Sequence, residues 1–205
     1  MRGLIGKKIG MTRVFDDLGF AVPVTILELG PCNVVQVKTK KCDGYDSVQV
    51  GFTDAALSSV NKPLAGHYNK YNSQPKSILR EFQPVPGFKY ISGQIFDVSI
   101  FNVGDYVTVT GKSKGRGFSG VIKRHNFSRQ KKTHGTGHTE RSPGSIGQAS
   151  DPSRVFPGMK MAGRYGNSNV SVENLKIVKI DKDNNYIMVK GAVPGARNGI
   201  IMVLK

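Results

Sequence analysis

Residues 111–164 constrain the fold of this chain more than any other stretch, because they lack the side chains from which a core is built. The segment holds twelve Lys or Arg residues, ten glycines and three aromatic residues, against two acids, Glu140 and Asp151. So little apolar surface cannot offset the entropy that is lost when the chain is ordered. The segment is therefore predicted to be a long, basic, glycine-rich extended finger, mobile when free and ordered on a polyanionic partner.

The remainder of the chain is predicted to be mostly β. Apolar runs rich in β-branched residues, separated by Gly, Pro, Asn and Asp, are typical of short antiparallel strands. They cover 20–29, 32–38, 47–52, 94–101, 105–110, 175–180, 186–190 and 199–204, and the few short helix candidates are 53–60 and 62–71. Strands on both sides of the finger indicate one closed antiparallel β-barrel, since closure removes exposed edges. The barrel domain is expected to comprise 1–110 and 165–205, with a small inserted segment near 53–93.

The charge of the chain indicates the chemical class of its partner. The formal net charge is +16, of which the finger carries +10. Solubility alone does not require charge to be concentrated in this way, so a nucleic acid is the expected partner. No membrane is expected, because no apolar run approaches the roughly 18–20 residues of a spanning helix, and the N-terminal residues resemble neither a secretory signal nor a transit peptide. Cys32 and Cys42 fit no disulfide framework and no zinc site, which indicates ordinary thiols in a reducing cytosol.

The cations and histidines of the finger are the predicted RNA contacts. Lys and Arg neutralise phosphates, glycines let backbone amides approach them, and histidines stack on bases or bond to phosphate and 2′-hydroxyl groups. The predicted contacts are Lys112, Lys114, Arg116, Lys123, Arg124, His125, Arg129, Lys131, Lys132, His134, His138, Arg141, Arg154, Lys160 and Arg164. Phe118, Phe127 and Phe156 either stack on bases or anchor the root of the finger.

The tip of the finger is placed at residues 144–153. The predicted tip residues are small or uncharged and are flanked by Arg141 and Arg154: they are Gly144, Ser145, Ile146, Gly147 and Gln148. Short side chains of this kind fit between packed RNA helices, whereas the alternative is a plain surface turn.

Two motifs that are typical of other chemistries are interpreted as coincidental. Residues 115–120 match the dinucleotide pattern G-x-G-x-x-G, but no βαβ unit surrounds them and no acid follows about 20 positions later. His125, His134 and His138 lie among cations without the cysteine or carboxylate that would complete a metal site. The finger has no clustered carboxylates or acid–base pair for catalysis. No metal, cofactor, small-molecule substrate or catalytic residue is therefore expected.

Five segments in order resemble the bacterial-type large-subunit ribosomal protein L3 family over essentially the whole chain: residues 3–12 (GLIGKKIGMT), 111–120 (GKSKGRGFSG), 141–148 (RSPGSIGQ), 160–164 (KMAGR) and 189–195 (VKGAVPG). The resemblance implies a translation-protein-like barrel whose finger enters large-subunit ribosomal RNA, with its tip approaching the peptidyl-transferase centre. It also implies direct binding near the 3′ end of that RNA, an early role in subunit assembly, neighbouring large-subunit ribosomal proteins as partners, and a cytoplasmic, ribosome-bound location.

The chain departs from the family pattern at three positions: Thr108 replaces the usual Asp or Asn, His125 the frequent tryptophan, and Ser150 a glutamine that is methylated in some relatives. His125 weakens the expectation of strong stacking at that position. Two other function classes remain open on the sequence. A general nucleic-acid or nucleoid binder would bind duplex DNA as well as ribosomal RNA, and an RNA-acting enzyme would depend on Glu140 or Asp151.

Overall fold

The computed structural model describes residues 2–205. In chain order the strands and α-helices are β1 (Gly3–Phe15), β2 (Ala21–Leu29), β3 (Cys32–Lys38), α1 (Lys40–Asp43), β4 (Ser47–Asp54), α2 (Lys62–Lys70), β5 (Lys76–Phe82), β6 (Ile95–Phe96), β7 (Tyr106–Lys112), β8 (Phe118–Ser119), α3 (Val121–His125), β9 (Gly163–Arg164), β10 (Asn169–Asp181), β11 (Tyr186–Lys190) and β12 (Ile200–Leu204). The chain divides into two compact units, which we call the barrel unit (up to residue 113, with 169–205) and the basic unit (114–168).

The barrel unit contains a closed barrel with the strand order β1-β12-β7-β10-β11-β2. Each neighbouring pair is antiparallel, and β2 pairs with β1 to complete the circle. Closure gives each strand of the barrel a hydrogen-bonded neighbour on both sides. The structure thus confirms the predicted mostly β chain with a closed antiparallel barrel and few short helices.

Strand β1 is one that the apolar pattern did not predict. Its glycines lie where neighbouring backbone leaves no room for a side chain: a Cβ at Gly6 would overlap the carbonyl oxygen of Glu28 on β2, and one at Gly3 that of Val203 on β12. Glycine therefore stands where a β-branched residue would otherwise signal a strand.

The core of the barrel unit continues beyond the barrel. Leu4 and Ile5 are consecutive in β1 and both fully buried. Since successive side chains of a strand point to opposite faces, both faces of β1 are covered at this point. Val34 and Val50, which lie on β3 and β4 outside the barrel, belong to the same buried cluster. One hydrophobic core thus joins the barrel to a second sheet.

The second sheet has the order β5-β4-β3-β6. Strand β5 was not predicted, and the strand predicted at 94–101 is wrong for most of its length, because only Ile95–Phe96 is extended and a 3₁₀ turn follows at Val98–Ile100. Asp97 causes this change, since its carboxylate accepts a hydrogen bond of 2.9 Å from the backbone N–H of Ser99 and caps the turn. The helix candidate 62–71 is confirmed as α2, whereas 53–60 contains only a 3₁₀ turn at Leu57–Ser59.

Two polar side chains in the core have defined partners. The ammonium of Lys8, which is 9% exposed, donates to the carbonyl oxygens of Val193 at 2.6 Å and Gly195 at 3.3 Å, so the buried charge is solvated by backbone. The thiol of Cys32 donates to the carbonyl oxygen of Ile5, and burial raises its pKa to about 11. Cys32 and the exposed Cys42 are both free thiols.

The close approach at Gly6 predicts a measurable loss of stability. The change Gly6→Ala is expected to lower the free energy of unfolding by about 1–3 kcal/mol, because β1 and β2 must separate to admit the methyl group. Gly10→Ala on the same strand is the matched control, since its nearest contact would be the Arg197 guanidinium at 3.7 Å, and a change within about 0.5 kcal/mol is expected. Urea unfolding of both variants measures the difference, and equal losses would contradict the prediction.

Candidate nucleic-acid interface

The root of the basic unit is a short antiparallel ladder. Strands β8 and β9 pair, and two backbone hydrogen bonds of 2.9 Å extend the ladder, from the Arg116 N–H to the Tyr165 carbonyl and from the Tyr165 N–H to the Gly117 carbonyl. Gly166 has a φ of +72°, and a Cβ there would overlap the carbonyl oxygen of Lys114. Glycine at this position therefore permits the two chain segments to lie against each other.

Helix α3 turns two of the predicted RNA contacts toward protein. The helix begins after Gly120 and ends at His125, and the next residue, Asn126, adopts the left-handed conformation with a φ of 58°. The guanidinium of Arg124 donates to the Met161 carbonyl oxygen at 2.7 Å, and the His125 Nε2 lies 3.1 Å from the same oxygen. Both side chains are half-buried. They hold the two halves of the basic unit together, and each keeps only part of its surface for a partner.

The other predicted contacts are exposed. Within residues 114–168 only Ser119 and Val121 are buried. The exposed side chains are Lys112, Lys114, Arg116, Lys123, Arg129, Lys131, Lys132, His134, His138, Arg141, Arg154, Lys160 and Arg164, of which Lys112 ends β7 in the barrel unit. The basic unit carries eleven Lys or Arg against two acids, and its one ion pair joins Arg129 to Glu140. Ten cations without an ion pair within this unit make a surface suited to a polyanion.

The predicted tip residues form an exposed turn. The Ser145 hydroxyl donates to the Gly147 carbonyl at 2.9 Å, and Gly147 lies next to the backbone of Arg154, where a Cβ would be 3.6 Å from the carbonyl oxygen. Residues 145–149 and 153–155 line a shallow concavity of about 450 Å³. The segment from Gly144 to Gln148 is exposed throughout, so a partner can contact it by shape.

The aromatic side chains of the finger differ in their surroundings. Phe118 is 83% exposed, whereas Phe127 is half-buried with its ring 6.1 Å from that of His125. The Arg154 guanidinium lies 5.5 Å from the centre of the exposed Phe156 ring. Tyr165 is also exposed and was not predicted as a contact, although its position next to Arg164 was a signal. Exposed rings next to cations are suited to stacking on bases.

The residues that match other chemistries are arranged differently from the sites they resemble. After the G-x-G-x-x-G segment comes a helix of five residues, and β8 pairs antiparallel with β9 instead of entering a βαβ unit. No group of three metal-ligating residues lies close together in the described part of the chain. Among residues 2–205 there is also no helix of the length and apolarity needed to cross a membrane.

Comparison with known proteins identifies similar sequences. The family described as Ribosomal protein L3 matches residues 90–185. The chain is 50% identical over 203 residues to the large ribosomal subunit protein uL3 of Thermotoga petrophila, covering 99% of this chain and 96% of that protein. It is 49% identical to the protein of the same name from Chromobacterium violaceum over 205 residues, covering 98% and 95% of the two chains. For the protein from Corynebacterium jeikeium the identity is 45%, covering 99% and 93%.

The small number of buried residues in the basic unit predicts where a protease cuts first. Because few side chains of residues 112–164 are buried, this segment opens locally at a low free-energy cost. Trypsin is therefore expected to cleave the free chain first between Lys112 and Arg164. The exposed Lys40 and Lys41 in α1 are the matched comparison in the barrel unit. Brief digestion followed by mass spectrometry identifies the first cuts. Initial cleavage at Lys40 or Lys41 would show that the basic unit is no easier to open.

Proposed function

The chain belongs to the ribosomal protein L3 family, and we propose that it is a structural constituent of the large ribosomal subunit that binds ribosomal RNA through its basic unit. The observation that carries this proposal is the set of exposed cations in residues 112–164, few of which have a partner in the protein. The similarity to proteins named as large ribosomal subunit proteins supports the large subunit as the place where the chain is found. The charge of the basic unit supports RNA as the direct ligand.

The mechanism is neutralisation of phosphates by side chains held on a small framework. Each Lys or Arg that contacts a phosphate releases a condensed counterion, and this entropy favours binding. Backbone bends at Gly117 and Gly144, where φ is +62° and +80°, let the main chain follow RNA closely. The exposed rings of Phe118 and Phe156 add stacking on unpaired bases.

The finer parts of the proposal rest on the family resemblance. They are binding near the 3′ end of the large-subunit RNA, an early role in assembly, and a tip at 144–153 that approaches the peptidyl-transferase centre. The small exposed residues of the tip support an action by shape and contact. We propose no chemical role for this chain, because Glu140, one of the two acids of the basic unit, is held in an ion pair with Arg129. The proposed location is the ribosome in the cytoplasm.

The proposed role of the basic unit can be tested through the salt dependence of RNA binding. The triple change Lys131→Gln, Lys132→Gln and Arg141→Gln is expected to reduce the slope of log affinity against log salt by about two to three, since each lost phosphate contact removes about 0.7–0.9. The matched control changes three exposed lysines of the barrel unit, Lys40, Lys41 and Lys62, to Gln and removes the same charge. Filter binding to large-subunit ribosomal RNA at a series of salt concentrations gives both slopes.

Equal slopes for the two triple variants would mean that net charge alone, and not the basic unit, sets the affinity. The competing function, a general nucleic-acid binder, is tested with the unchanged chain. Quantitative co-sedimentation with large subunits after a high-salt wash supports the ribosomal role, whereas comparable affinity for duplex DNA and loss in the wash would favour the competitor.

The proposed role of the tip at 144–153 can be tested by introducing a large side chain there. Ser145→Trp is expected to impair assembly of the large subunit or peptide-bond formation, because an indole does not fit between packed RNA helices, while thermal unfolding of the isolated chain stays nearly unchanged at this exposed position. Ser58→Trp, at an exposed position of the barrel unit, is the control and should leave growth normal. Growth rate and subunit sedimentation profiles measure the effect. Normal profiles with Ser145→Trp would show that the segment is only a surface turn.

A further inference from the structure

The outer part of the hairpin formed by β1 and β2 exposes large apolar side chains. β1 pairs with β12 only over residues 3–7, and β2 pairs with β11 only over residues 24–28, so 13–15 and 21–23 form a two-stranded ribbon. At the end of the ribbon, Phe15 is 62% exposed, Leu18 82% and Phe20 67%. We call residues 15–20 the hairpin tip. Adjacent exposed apolar side chains of this size mark a surface that binds another molecule.

The hairpin tip is held in one conformation by its own hydrogen bonds. One carboxylate oxygen of Asp16 accepts from the backbone N–H of Leu18 at 3.1 Å and of Phe20 at 2.8 Å. The backbone of Asp16 also bonds to that of Phe20 at 3.0 Å and of Gly19 at 2.9 Å, with Gly19 at a φ of +80°. A turn that is already ordered loses little entropy when it docks, which favours binding.

The charge of the hairpin tip selects the class of partner. Asp16 and Asp17 give residues 15–20 a net charge of −2 in a chain of +16, and neither carboxylate forms an ion pair within residues 2–205. Phosphates would be repelled by these carboxylates, in contrast to the basic unit. A protein surface with an apolar pocket bordered by Lys or Arg is complementary in both respects.

We propose that the hairpin tip docks into an apolar pocket bordered by Lys or Arg side chains on a neighbouring protein of the large subunit. This inference rests on the proposed function, since it takes the ribosomal particle as the place where the partner is met. Leu18 and Phe20 enter the pocket, and Asp17 faces the cations at its border. The basic unit and the hairpin tip thus divide the partners of the chain, RNA for the first and protein for the second.

Photochemical cross-linking in intact large subunits tests the docking. The tagged full-length chain carries p-benzoylphenylalanine in place of Phe20, an aromatic exchange at an exposed position. Irradiation is expected to give an adduct that survives ribonuclease and is destroyed by protease. The same replacement at Phe156 in the basic unit is the matched control and should give an adduct that ribonuclease destroys. Adding Leu18→Ser or Asp17→Lys to the Phe20 probe should lower the protein adduct severalfold, and Asp17→Asn should lower it less.

The possible results distinguish failure of the docking from failure of the proposed ribosomal function. An adduct to RNA at position 20, or no adduct there while the Phe156 probe labels RNA, would overturn the docking and leave the ribosomal role intact. A protein adduct whose yield is unaffected by Leu18→Ser and Asp17→Lys would also overturn it, because the pocket and its charged border would then not exist. A tagged chain that fails to co-sediment with large subunits would overturn both proposals.

Discussion

The antiparallel pairing of β7 with β10 holds the two ends of the basic unit beside each other. Lys112 lies opposite Asn169, Thr110 opposite Ser171, and the hydroxyls of that second pair are 2.8 Å apart. Between these two strands the chain leaves the barrel unit at 113 and returns at 169. Because the entropy of closing a loop grows slowly with its length, a closed barrel tolerates such a long excursion. The strand pairing of the barrel thus fixes where the two ends of residues 114–168 lie.

The distribution of charge follows from the same division. In the barrel unit several carboxylates are matched locally with cations, as in Lys205–Asp105 at 2.6 Å and Lys38–Glu81 at 2.6 Å. The hydrogen bond from the Lys205 ammonium is the main cause of the lowered pKa of Asp105, and the one from Lys38 of the lowered pKa of Glu81. The basic unit has no comparable supply of acids, so most of its cations face outward. The positive electrostatic field of the basic unit therefore depends on the scarcity of acids there as much as on the presence of cations.

Side chains of one chemical type serve different purposes within the basic unit. Arg124 and His125 bond to the Met161 carbonyl and join segments that are 36 residues or more apart, whereas Lys131 and Lys132 are simply exposed. All four were predicted as RNA contacts on charge and position alone. Composition identifies a cationic surface, but it does not distinguish a cation that bonds to other parts of the protein from one that is available to bind a phosphate. Composition also does not place the aromatic residues, since Phe118, an aromatic residue in an otherwise polar segment, is exposed and not buried.

The sequence by itself determined the β character of the chain, the concentration of charge in residues 111–164 and, through five motifs, the family. These properties are local or additive, and they can be read without knowing which residues are neighbours. Only the tertiary structure decided that β3 and β4 lie in a second sheet while β1 closes the barrel, and that Asp97 ends a strand at Phe96. The physical reason is that a period of two reports whether a strand has a buried face but not which strand lies beside it. At Gly3 and Gly6 the neighbour is backbone, so the residue that makes the close approach possible leaves no apolar signal in the sequence.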